Sequence, residues 1–269
     1  MNLILSMRKI MVIVSGRVDQ LLRLNNNKVV SICYHSFSGR KNRYSISVKE
    51  FERQIVKLKK TSDFISIDEL AEIIKSPAKS SRLKILLTID DGYKSVLKIR
   101  KIISKHNIPV LLFVISDTKK INRLELDTNE KLLSFSEINK LSNSGWFIGS
   151  HSATHSNFKL LNDLESKYEI EKSKREISNK INKQVTSFAF PKGNFTKEQV
   201  RLVKKYGYKY GFSILPGFIN SQNIKSFIIP RTIIDSTHSI EELSGILSST
   251  WFLFRKMTNK FRLWDLLLK

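Results

Sequence analysis

The chain has 269 residues, 41% hydrophobic and 10% aromatic, enough for one large domain or two small ones around a sizeable core. With 10 Gly and 5 Pro it is neither disordered nor collagen-like, and its 1 Cys, Cys33, excludes an internal disulfide and any zinc site built wholly of cysteines. Lys and Arg number 47 against 24 acidic residues, a formal charge of +23 that suits nucleic acid, anionic lipid or an anionic polymer, or simply reflects an AT-rich genome.

In chain order, residues 1–28 form an amphipathic N-terminal segment. Arg8 and Lys9 break its apolar stretches and Arg17 follows, so no run approaches the roughly 18 residues of a spanning helix. Arg8 and Lys9 precede only a short apolar core, 10–14, with no Ala-x-Ala site after it, so a cleaved secretory signal is not expected. Apolar runs at 29–33, 83–89, 110–115, 146–149, 186–190 and 227–229 read as strands. Helical patterns lie between them. Residues 47–60 put Val48, Phe51, Ile55 and Leu58 on one face, and 93–106 carry Val96, Leu97, Ile99, Ile102 and Ile103. Ser134 with Glu137 makes a capping box before a helix ending near Gly145. Residues 164–183 place Ile170, Ile177 and Ile181 at helical spacing. Thr196 with Gln199 opens a further helix that stops at Gly207. These repeated βα units predict a parallel sheet or barrel with helices outside, over 29–240.

Residues 241–269 read as a basic amphipathic C-terminal helix. Within it, 251–269 carry five Lys/Arg against one Asp, the same balance as 1–28, among many Leu, Phe and Trp. Two readings stand: both ends rest on an anionic membrane, or both pack together on the barrel with snorkelling cations.

Three polar clusters follow strand-like runs: Asp90, Asp91 and Gly92; the stretch from His151 to His155; and Pro191, Lys192 and Gly193. In βα folds the loops after strand C-termini form the active-site face. Adjacent carboxylates repel, and a metal on one of them relieves this, leaving the other as a base. The plain alternative is a turn, since Asp-Asp-Gly is ordinary loop chemistry. His151 and His155 are i and i+4, so on helical backbone they share a face and grip one ion; the alternative is a polar loop. His35 follows the first strand and lines the same face, whereas His106 and His238 read as helix-end and loop residues. One Asp and two His make a metal set with open positions, pointing to metal-assisted hydrolysis of an acyl or amide bond.

Residues 88–92 (TIDDG), 149–155 (GSHSATH) and 188–193 (FAFPKG) resemble three ordered motifs of the polysaccharide deacetylase family, the NodB-homology domain or carbohydrate esterase family 4. Residues 33–37 (CYHSF), 206–211 (YGYKYG) and 229–231 (IPR) are similar to it as well. The resemblance implies a distorted (β/α)7-type barrel as the catalytic domain, with extra N- and C-terminal helical segments. It implies Asp90 as the base that activates water, and Asp91, His151 and His155 as ligands of one divalent metal ion, commonly zinc. Pro191, Lys192 and Gly193 would lie against the substrate with His35, the Lys192 N–H helping to hold the oxyanion. The implied reaction removes N-acetyl groups from amino sugars of a bacterial surface polysaccharide or its lipid-linked precursor. The implied partner is an N-acetylated glycan, and the composition of the two chain ends adds an anionic membrane surface as a candidate partner; no nucleic acid is expected, because base-stacking and known DNA-binding patterns are absent. The expected location is cytoplasmic or peripheral to a membrane, with the cell surface as the alternative.

Two positions depart from the family. Ala189 stands where an Arg is usual, and Arg231 is the candidate substitute for orienting the carboxylate. The usual final Leu-x-His is missing, which leaves the proton donor open, with His238 in roughly the right region. A silent glycan-binding member and a hydrolase of a different non-peptide C–N bond are the rival functions.

Overall fold

A computed structural model describes residues 3–40, 42–76, 82–122, 126 and 130–260. The strands are β1 (Val29–Tyr34), β2 (Ser62–Ile65), β3 (Leu83–Ile89), β4 (Leu111–Val114), β5 (Phe147–Ser150), β6 (Ser187–Ala189), β7 (Tyr210–Phe212), β8 (Phe218–Ile219) and β9 (Thr232–Ile233). Among the described residues they form one sheet in the order β7-β6-β5-β4-β3-β1-β8, with β2 on β3 and β9 on β1. Only β8 runs antiparallel to its neighbour. The helices are α1 (Leu3–Leu22), α2 (Val48–Thr61), α3 (Ile67–Lys75), α4 (Arg100–Lys105), α5 (Phe135–Asn143), α6 (Asp163–Ile181), α7 (Lys197–Lys205), α8 (Ser221–Ser226), α9 (Leu243–Ile246) and α10 (Ser249–Lys260).

The expected capping boxes open α5 and α7, and Asn162 with Glu165 makes another before α6. Residues 93–106 are not one helix. A 3₁₀ turn, Lys94–Ile99, comes first and leads into α4, neither element starting with a side-chain cap.

The strand expected at 227–229 is also replaced. Phe227 adopts a left-handed conformation (φ 58), and Ile229 makes a single bridge to Phe212 of β7. Pro230 has no N–H to continue a ladder. Two residues later β9 pairs with β1. One irregular segment therefore touches both ends of the curled sheet, and this closure makes the barrel distorted.

Strand alternation decides what faces each side. Val30, Ile32 and Tyr34 of β1 and Ile85, Leu87 and Ile89 of β3 pack in the core shared with the outer helices. Leu86, Leu111, Phe113, Ala189, Phe212 and Ile229 form a second cluster on the opposite face, with Ile67 and Leu70 of α3. Thr88 and Asp90 continue the parity of Leu86, so both point to this inner face. His151 continues the parity of Phe147 and Gly149 on β5. Gly149 is required there, because a Cβ would lie 2.5 Å from the Phe113 ring.

The two ends pack together, as in the second reading above. Arg8 pairs with Glu242 at 2.8 Å, and Asp19 accepts from the N–H of Thr250 at 3.0 Å at the start of α10. The backbones of α1 and α9 touch: a Cβ on Gly245 would lie 1.9 Å from the Val12 carbonyl. The helix expected over 241–269 is a 3₁₀ turn followed by α9 and α10, and residues 261–269 lie outside the described residues.

Candidate active site

Asp90 immediately follows β3, its N–H donating to the Tyr34 carbonyl of β1 at 2.9 Å. The chain then turns through left-handed Asp91 (φ 68) and Gly92 (φ 71), which swings the second carboxylate away from the first. The two neighbours thus meet different partners. Asp90 is gripped by Arg231, with Nη1–Oδ1 at 2.6 Å and Nη2–Oδ2 at 2.9 Å. Arg231 is fully buried, donates Nε–H to the Ser213 carbonyl at 2.9 Å, and lies against the rings of Phe113 and Phe212. The residue comes from the segment that closes the sheet, and it makes the contact with the carboxylate for which it was the candidate. Burial alone would raise the Asp90 carboxyl. Arg231, with His151 and His35, more than reverses this and holds it below the ordinary carboxylate range.

Asp91 faces the histidines. Its Oδ1 is 3.4 Å from His151 Nε2 and 3.3 Å from His155 Nε2. The expected reason for that pairing does not hold. The backbone from His151 to His155 is a loop, not a helix, with Ser152 (φ 67) and His155 (φ 62) both left-handed. Serine hydroxyls set the bends: Ser152 N–H donates to Ser150 Oγ at 3.2 Å, and His155 N–H to Ser152 Oγ at 3.0 Å.

A buried residue that the sequence reading missed clamps this loop. Glu169 of α6 accepts from the N–H groups of Ala153 (2.9 Å) and Thr154 (2.8 Å) on Oε2, and from Thr154 Oγ1 (2.6 Å) on Oε1. A charged residue inside the i, i+3, i+4 pattern of α6 was the available signal, since an outward Glu would not be 4% exposed.

These residues fit a divalent cation. His151 Nδ1 lies 2.8 Å from the Ala189 carbonyl, which can only accept. Nδ1 therefore carries the proton and the Nε2 lone pair points at Asp91. Both Asp91 oxygens are buried with no hydrogen-bond partner among the described residues. Three acceptor groups converge with ligand atoms within 4.8 Å of one another. Burial would raise Asp91, yet His155 and His151 hold it well below the usual range; burial would lower His151, yet Asp90 and Asp91 raise it. The cluster calls for positive charge at its centre. A Glu169→Gln variant puts an amide N–H2 or a lone oxygen against the loop's N–H donors. Metal affinity, read by chelator competition, is expected to fall roughly 10–100-fold, as when a partner that orients a ligand is lost. Unchanged affinity would show that the loop holds itself.

His35 ends β1. Its ring lies 5.0 Å from that of Tyr44, and it groups with Cys33 and Asp90 within 4.8 Å. Pro191–Gly193 forms a turn just after β6, with Lys192 left-handed (φ 55) and its side chain exposed. All of the expected site residues thus sit at one end of the sheet. His238 does not join Asp90. Its Nδ1 lies 3.0 Å from Asp235 Oδ1, and both line a neighbouring cavity of about 680 Å³ with Arg40, Arg43 and Gln54.

The sequence profile of the family described as polysaccharide deacetylase matches residues 78–211, the stretch that carries Asp90, Asp91, His151, His155 and Pro191–Gly193. The chain belongs to the polysaccharide deacetylase family. It is thus a hydrolase of the polysaccharide N-deacetylase class. It is 26% identical over 246 residues to a poly-beta-1,6-N-acetyl-D-glucosamine N-deacetylase of Staphylococcus aureus (strain MRSA252), covering 85% of this chain and 81% of that one. Its fold matches the Streptococcus pyogenes deacetylase PplD in complex with acetate, with a TM-score of 0.69, 18% identity, and 82% and 98% of the two chains covered. IcaB from Ammonifex degensii matches with a TM-score of 0.70, 19% identity, and 82% and 97% covered. These likenesses establish the mixed α/β deacetylase fold, its sheet curled and flanked by helical segments.

Proposed function

We propose that this deacetylase removes N-acetyl groups from a polymer of N-acetylglucosamine, or from its lipid-linked precursor, beside an anionic membrane surface at the cell envelope. The observation that carries the chemistry is the division of labour between the adjacent carboxylates: Asp90 on Arg231, Asp91 on His151 and His155. The substrate class is supported by the printed activity of the staphylococcal relative.

Asp91, His151 and His155 would hold one divalent ion, for which zinc suits two imidazoles and a carboxylate. Such an ion supplies Lewis acidity toward water and the acyl oxygen. Asp90 takes the proton from the attacking water, and Arg231 keeps that carboxylate ionised and aimed. The Lys192 N–H donates to the oxyanion as charge gathers on the acyl oxygen. His35 passes the proton that Asp90 took from water on to the amine nitrogen as the C–N bond breaks, which restores the Asp90 carboxylate and leaves acetate and a free amino sugar. Its place beside Asp90 supports this role; His238, held by Asp235 at the next cavity, is less well placed.

The test is acetate release from short β-1,6-linked N-acetylglucosamine oligomers, with and without chelator. Release that stops on chelation and returns with added zinc supports the reading. Release from O-acetylated or other N-acylated substrates alone would overturn the substrate assignment.

A further inference from the structure

We propose that the outer face of α1 docks this protein on an anionic lipid surface. The helix has two opposite faces of different character. One turns inward, where Val12, Ser15 and Asp19 are buried against α9 and α10. On the other, Met7, Ile10, Val14 and Leu21 are 54%, 62%, 50% and 82% exposed. Steps of three, four and seven residues set them in one stripe along the helix. An ordinary surface helix carries polar side chains there, and a continuous exposed apolar patch marks a binding surface. Leu253 and Met257, i and i+4 on α10, are exposed too.

Charge selects the occupant. The sole carboxylate of α1, Asp19, is buried against Ser249 and Thr250. Lys9 and Arg17 are exposed on the helix and Arg23 just beyond it. Arg17 lies within the apolar stripe itself. The outer face therefore shows apolar side chains and cations but no carboxylate. Apolar groups of such a helix enter the acyl boundary while cations meet anionic headgroups. A second copy of the chain fits less well, because pairing two stripes brings Arg17 of each copy into an apolar seam. None of the described helices is long and apolar enough to cross a membrane, so α1 would lie in the surface.

The placement of α1 suits a substrate at that surface. Arg8, near its start, reaches the Thr237 carbonyl in the segment after β9, and its end leads to the first residue of β1. The helix thus runs alongside the strands and not across their C-terminal ends. Docked this way, the face holding Asp90 and Asp91 opens sideways along the lipid. That last step rests on the proposed function; lipid binding itself does not.

The experiment is co-sedimentation of the full chain with vesicles of phosphatidylglycerol and phosphatidylcholine, and of phosphatidylcholine alone. Binding is expected to the anionic vesicles only, and to weaken with salt. The triple change Ile10→Ser, Val14→Ser and Leu21→Ser should weaken it at least about tenfold. Arg17→Ala should weaken it about fivefold. Both variants should keep the melting curve and the acetate release from a short soluble oligomer. Binding by the triple variant equal to that of the parent, or no binding by the parent at low salt, would overturn the proposal. So would light scattering that shows a dimer of the parent broken by the same triple change. Loss of acetate release in every chain, with vesicle binding intact, would count against the proposed function alone.

Discussion

Asp90→Asn is expected to lower the deacetylation rate by about 10²–10⁴-fold while leaving metal binding in place, the usual cost of losing a general base. The two effects separate because Asp90 is not in the group formed by Asp91, His151 and His155. The variant also carries a folding penalty. Arg231 is fully buried and loses its counter-charge, and a broken buried pair costs about 3–5 kcal/mol. Rates must therefore be measured well below the variant's own melting temperature. Arg231→Gln is the matched control. It breaks the same pair with a comparable fall in Tm, yet keeps the Asp90 carboxylate, so its rate should fall less. Equal rate losses in the two variants would remove the base role from Asp90. Loss of metal in Asp90→Asn, with metal retained in Asp91→Asn, would exchange the two assignments.

The contrast between Asp90 and Asp91 shows what the sequence could and could not convey. Both positions were legible, because a β-branched run ending in polar residues marks a strand end and strand ends form the face of a βα barrel. Their separation depends on left-handed Asp91, which a sequence pattern does not display. His151 and His155 do converge on Asp91, but not for the reason that helical spacing offers. Helical spacing suggested the pair, but the loop reaches it through Ser152, His155 and a clamp from Glu169, which lies on a different element. Arg231 was legible only as a candidate, since its grip on Asp90 spans 141 residues of sequence. The closing strand was misplaced at 227–229 because its apolar pattern is sound, and Pro230 shifts the pairing to β9. At the ends, composition revealed too much apolar surface for a solvated helix. The contacts of Gly245 with the Val12 backbone, of Asp19 with Thr250 and of Arg8 with Glu242 decide which face of α1 is inside.

His155→Ala should lose more metal affinity than Glu169→Gln, because it removes a ligand and not the residue that orients the loop. A fall well beyond about 100-fold is expected, the upper end for losing an orienting partner. His155 has φ 62, a conformation that alanine tolerates less well than asparagine. His155→Asn is therefore the second variant, removing the ring while easing the backbone. Folding linkage offers a readout that does not need turnover. A ligand that binds only the native state at 100 times its Kd adds about 2.7 kcal/mol of stability. Zinc should raise the Tm of the parent chain and chelator should lower it, whereas neither should move the Tm of the two variants. Both oxygens of Asp91 are buried and lack hydrogen-bond partners among the described residues, so in the metal-free protein only the neighbouring imidazoles of His151 and His155 offset the burial of this carboxylate. This is why the chelated parent should melt lower than the metal-loaded one. A zinc-dependent Tm that persists in His155→Asn, with stoichiometric metal after dialysis, would place the ion elsewhere and free His155 from the ligand set.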